Sequence, residues 1–163
     1  AFEQMGADNL GVVTKNDNST IGTDLEMNLF NDAYREYSNK KHDAAASKFA
    51  DFIKLYPNHS YADDAMYWRG ESFLAQGRFL HAVGEFERLI RRYPSSDKVA
   101  SALYRIGFSY DKMQDYSKAA EFYFDVVERF SGTDAARKAG ARVAEIRNSS
   151  SAKEALLPTS AVR

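Results

Sequence analysis

Apolar side chains recur along much of this chain at intervals of three and four, as in Phe79, Val83, Phe86, Leu89, Ile90 and Tyr93. That spacing places them on one stripe of a helix with 3.6 residues per turn. A second stripe holds Ala65, Trp68, Ser72 and Ala75, and no stretch alternates as a half-buried strand would. The stripes themselves repeat. Residues 49–57 read FADFIKLYP, 86–94 read FERLIRRYP and 123–131 read YFDVVERFS, a step of 37 each time. The same step links Ala45, Ala82 and Ala119; Phe30, Tyr67 and Tyr104; and Ala33, Gly70 and Gly107. A fixed period of this size predicts stacked helix pairs. The small residues of the last set suit close helix crossings, because a minimal side chain lets neighbouring backbones approach.

Pro57 and Pro94 separate one unit from the next, since proline cannot donate a backbone hydrogen bond and disfavours helix in the residue before it. Within units, Lys40-Lys41, Gly77 and Gln114-Asp115 end the first helix. Expected N-caps are Ser60, Asp97 and Thr133, with Thr23 and Glu26 forming a capping box for the first helix. The pattern predicts a domain over 23–147, with repeats at about 26–62, 63–99 and 100–136. A last helix over Asp134–Arg147 caps the open end, completing an all-α, right-handed solenoid of three helix pairs. Residues 1–22 and 148–163 are polar and read as linker and tail.

Composition narrows what such an array does. The chain has 163 residues, 44% of them hydrophobic, enough for one domain to bury a core. Its 22 basic and 23 acidic side chains leave a net charge of -1, so no global field draws nucleic acid or an anionic membrane. Cysteine is absent, which removes disulfides, thiolate nucleophiles and a residue to carry a lipid. The apolar stretches are far shorter than the roughly 20 residues that cross a bilayer. The chain begins at Ala1, consistent with removal of a signal peptide.

Chemistry is not expected. His42, His59 and His81 lack a second ligand at metal-binding spacing, and nucleophile, phosphate-loop and dinucleotide motifs are missing. No cofactor or metal is anticipated, and the chain reads as a non-enzyme. Asp63-Asp64 sits in a first helical turn, where negative charge meets the positive end of the dipole. Arg88, Arg91 and Arg92 close a helix, with their charge offset by nearby Glu85 and Glu87, and Trp68 reads as a packing residue.

The repeats resemble tetratricopeptide repeats. Repeat two supplies Gly70, Phe73, Ala82, Phe86 and Pro94; repeat three supplies Gly107, Tyr110, Ala119, Tyr123 and, departing from the pattern, Ser131. Repeat one has Ala33 and Glu36 in the first two places, with Ala45, Phe49 and Pro57 fitting. The longer link YPNHSYADDA recurs as YPSSDKVASA and FSGTDAARKA. Over about 30–147 these phrases resemble the C-terminal domain of the YbgF/CpoB family, encoded with the Tol-Pal system. That resemblance implies a periplasmic adaptor binding envelope proteins and helping to couple wall synthesis to outer-membrane constriction. The family also trimerises through an N-terminal coiled coil, and residues 1–25 show no heptad, so self-association stays open. The outer-membrane assembly lipoprotein BamD is a second resemblance, set aside on repeat number and the missing cysteine.

The resemblance also implies a concave face built from the first helix of each repeat. Its positions here are Met27, Phe30, Tyr34 and Tyr37, then Asp64, Tyr67, Glu71 and Leu74, then Tyr104, Phe108 and Asp111. Tyrosines and phenylalanines there, with acids at the rim, suit an apolar or basic peptide. The alternative is that Phe30, Tyr67 and Tyr104 pack between helices and that Glu71 and Asp111 are merely solvated. A structural subunit whose tails dock on neighbours is the rival function.

Overall fold

The computed structural model describes residues 22–149, which form seven helices. They are α1 (Gly22–Ser38), α2 (His42–Leu55), α3 (Ala62–Ala75), α4 (Phe79–Arg92), α5 (Val99–Lys112), α6 (Tyr116–Arg129) and α7 (Asp134–Asn148). Most of the two polar segments read from the sequence lies outside the described residues, as does the Thr23 side chain of the expected capping box. Each helix packs on its neighbours in the chain, and α1 with α3 and α5 with α7 also touch, so the first helices line one side of the stack. The result is the expected all-α helical solenoid, with α7 closing it.

Three tight turns inside the pairs are the same turn. Lys40, Gly77 and Gln114, 37 apart, all adopt positive φ, at 61°, 70° and 63°. Each amide after them bonds back across the turn: Lys41 N to Glu36 O, Arg78 N to Phe73 O and Asp115 N to Tyr110 O, all 2.9 Å. With the shorter bonds Lys40 to Tyr37, Gly77 to Leu74 and Gln114 to Asp111, this is a Schellman C-cap made three times. Only Gly77 adopts it without the steric penalty of a Cβ.

Ser60 and Asp97 do not cap α3 and α5; the side chains that bond an amide in these links stand one position earlier. His59 Nδ1 accepts from Tyr61 N at 3.1 Å, and Ser96 Oγ accepts from Lys98 N at 3.0 Å. Thr133 Oγ1 accepts from Ala136 N at 3.1 Å, as expected. His59, Ser96 and Thr133 stand 37 apart, so the repeat keeps a side chain that bonds an amide of the link there, though only Thr133 caps a helix. Helices α3 and α5 begin only at Ala62 and Val99, without side-chain N-caps of their own.

The core follows the apolar stripes. Phe49, Phe86 and Tyr123, one per repeat, are fully buried. A Cβ on Gly70 would lie 2.6 Å from Phe86 Cε1, and one on Gly107 would lie 2.8 Å from Tyr123 Cδ1, so these glycines make room for rings. Ala33, their counterpart, is fully buried too. Ala75, placed on the buried stripe by its spacing, is exposed instead, because its helix ends there. Successive links are tied together: Tyr93 Oη donates to Pro57 O at 2.8 Å, Ser96 Oγ to Asp63 Oδ2 at 2.5 Å, and Lys98 Nζ pairs with Asp64 at 3.1 Å. Burial raises the Asp64 carboxyl above its usual range, and Lys98 pulls it back.

Candidate partner-binding face

Helices α1, α3, α5 and α7 form one side of the stack. At its N-terminal half the indole of Trp68 on α3 is met edge-on by Tyr34 at 4.8 Å and Tyr37 at 5.1 Å, both from α1. Tyr34 and Tyr37 stack on each other at 6.3 Å, and Tyr67 reaches the indole at 5.9 Å. All four rings are half-buried, giving an aromatic ridge across the first repeat boundary. Trp68 belongs to this ridge as well as to the packing role read from its stripe.

The three aromatics of the 37-residue set separate. Phe30 is 7% exposed and packs edge-on against Phe49 and Phe52 at 5.6 and 5.5 Å, so it is core. Tyr67 and Tyr104 rest on the buried rings of their own repeats, Phe86 and Tyr123, each at 5.5 Å, and stay half-buried. They line a cavity of about 270 Å³ between α3, α5 and α7, together with Ser101, Arg105 and Lys138. Leu74 and Phe108 are half-buried, and Phe108 lies between the Arg105 guanidinium at 5.7 Å and the Lys112 ammonium at 5.2 Å.

The acids do not form an open rim. Glu71 is 7% exposed; Arg105 Nη2 donates to its Oε2 at 2.8 Å, and Nε stands 2.7 Å from Oε1. Burial raises the Glu71 carboxyl above its usual range, opposed by Arg105. Burial and the Glu71 charge raise the nearby Tyr67 hydroxyl as well. Asp111 is gripped by Arg142 of α7, with Nε to Oδ2 at 2.6 Å and Nη2 to Oδ1 at 2.9 Å, and lies 3.4 Å from Tyr123 Oη. Both pairs cross a repeat boundary. Their separations of 34 and 31 residues break the period, so no sequence signal pointed to Arg105 or Arg142.

Helix pairs in a constant register, each turning through the same C-cap and seating a ring over a small residue, define a tetratricopeptide-repeat protein. The family model that matches, over residues 21–123, is YfiO, outer membrane lipoprotein, and the chain belongs to that family. Neither the number of repeats nor the missing cysteine separates the chain from this outer-membrane lipoprotein family. The match supports the tetratricopeptide class without reaching the YbgF/CpoB assignment.

Solved structures share the fold. The TPR domain of Arabidopsis OM64 is 17% identical with a TM-score of 0.62, covering 75% of this chain and 96% of its own. The N-terminal domain of stress-induced protein-1 from C. elegans is 19% identical with a TM-score of 0.61, over 77% and 98%. The Sgt2 TPR domain from Aspergillus fumigatus is 20% identical with a TM-score of 0.61, over 90% and 94%. No curated protein sequence matches the chain.

Proposed function

We propose that this protein is a non-enzymatic adaptor of the bacterial cell envelope, working in the periplasm, that holds a segment of another envelope protein on the side lined by α1, α3, α5 and α7. The observation carrying this reading is the half-buried ridge of Tyr34, Tyr37 and Trp68, continued along the same side by Tyr67, Tyr104 and Phe108. Aromatic rings give large contact area with few rotors to freeze, and tyrosine adds a hydrogen-bonding tip. Because Glu71 and Asp111 are already satisfied by arginines of this chain, the occupant is an apolar or aromatic segment rather than a basic one. Membership in an outer membrane lipoprotein family supports the envelope location. The link phrases between repeats support the finer role, coordination with the Tol-Pal system during division.

A photo-crosslinking residue placed at Tyr37, Phe108 or, as a control, exposed Phe124 on α6 tests this in envelope extract. Adducts with one defined protein are expected from the first two positions and not from the third. If those two positions give no adduct while a crosslinker placed within residues 1–22 or 148–163 does, the adaptor gives way to a structural subunit docked through its ends.

A further inference from the structure

Helix α4 carries Arg78 at its N-cap, then His81, Glu85, Arg88 and Arg92, spaced three, four, three and four, so they share one edge. At 1.5 Å per residue that edge is about 21 Å long. Every member except Glu85 is exposed. Glu85 turns inward to 6% exposure, where a single oxygen accepts from both Arg69 of α3, at 2.6 Å, and Arg88, at 2.9 Å. One carboxylate shared by two guanidiniums leaves positive charge over. Glu87, the other acid expected to offset the cluster, is two residues further on, about 200° round the helix.

The cations are held in place by groups that do not neutralise them. Phe73 has the Arg78 guanidinium at 4.7 Å, the Arg69 guanidinium at 5.3 Å and the His81 ring at 5.6 Å. Arg78 also donates to the Gln76 amide oxygen, and Arg92 lies over Tyr93 at 5.6 Å. Among the described residues Arg78, Arg91 and Arg92 meet no carboxylate at ion-pair distance. The equivalent edges of α2 and α6 differ. There Lys48 binds Asp32 and Glu36, Lys41 binds Glu36, Lys118 binds Asp115 and Arg129 binds Asp125. The middle repeat alone has an unbalanced cationic edge, in a chain whose net charge is -1.

We infer that the α4 edge is a second docking surface, separate from the aromatic face, and that it takes an acidic protein segment with carboxylates about one helical turn apart. Forked guanidiniums pair with carboxylates in two parallel hydrogen bonds, and prepositioned ones lose less side-chain freedom on binding. A bilayer is the poorer complement. Leu80 is the one large apolar side chain strongly exposed on α4, and surface-lying helices need a broad apolar face to insert.

The probe is a labelled helical peptide with glutamate at every third and fourth position, beside its glutamine counterpart, followed by fluorescence anisotropy with the full chain. The glutamate peptide should bind and the glutamine peptide should be weaker by about tenfold or more, with affinity falling as salt rises. Arg78→Glu, Arg88→Glu and Arg92→Glu together should abolish binding, while Lys54→Glu, Lys112→Glu and Arg147→Glu, an equal change in net charge, should leave it nearly intact. Circular dichroism checks the fold, and the milder Arg78→Gln with Arg92→Gln should still weaken binding severalfold. Phe108→Ala should have no effect, which separates this surface from the aromatic face. Equal loss in both charge-reversal sets, equal affinity for the glutamine peptide, or binding to phosphatidylglycerol vesicles without binding to the glutamate peptide would each overturn the inference.

Discussion

A methyl group on Gly70 would sit 2.6 Å from the Phe86 ring, whereas one on Gly84 would meet nothing within 4 Å. Both glycines lie inside helices, where alanine is favoured by about 1 kcal/mol. Phe86 is fully buried and has no room to swing clear, so overpacking of about 1–3 kcal/mol outweighs that preference at Gly70. Gly70→Ala should therefore lose about 1 kcal/mol in urea unfolding, while Gly84→Ala should gain a similar amount. Two identical substitutions of opposite sign would show that the ring contact, not the helix, holds Gly70. The sequence made this role readable, because the set of Ala33, Gly70 and Gly107 keeps step with Phe49, Phe86 and Tyr123.

Between elements, the buried pair of Glu71 on α3 and Arg105 on α5 sets an asymmetry. Burial lifts the folded-state carboxyl above its ordinary value of about 4.5, so between that value and the raised one the folded state binds more protons than the unfolded. Stability from Glu71 is therefore fullest below about pH 4.5 and declines as pH rises through that window. Glu71→Gln, which cannot ionise, should gain on the wild type as pH goes from acid to neutral in denaturant titrations. Arg105→Ala should instead lose about 2 kcal/mol or more at neutral pH, because it strands a buried carboxylate. Such pairs mark where the sequence stopped being legible. Helices, turns and ring positions obey the 37-residue step and could be read from it. Arg105 and Arg142 answer to partners across a boundary at other separations, so Glu71 and Asp111 looked like an open rim. The link bonds made by His59 and Ser96, where caps at Ser60 and Asp97 were expected, have a similar origin, since imidazole and hydroxyl fill one register position with little resemblance between them.

For the molecule as a whole, α7 is the last helix among the described residues. It buries Ala135, Ala139, Val143 and Ile146 and supplies Arg142 to Asp111. Its other side is polar, with Arg137, Lys138 and Glu145 outward, as terminal units of a solenoid require. A chain ending at Gly132 should melt lower and should self-associate through the uncovered surface of α5 and α6, visible as concentration-dependent sedimentation. An unchanged monomer would remove the capping role.

The chain contains one tryptophan, and it lies between Tyr34 and Tyr37 where repeat one meets repeat two. Its fluorescence is thus a local gauge of that boundary, while far-ultraviolet circular dichroism averages over every helix. Solenoids are joined by nearest-neighbour interfaces and can come apart in stages. If the first pair frays before the rest, the emission shift will precede the loss of helix on heating; coincident curves will mean that the three repeats open as one.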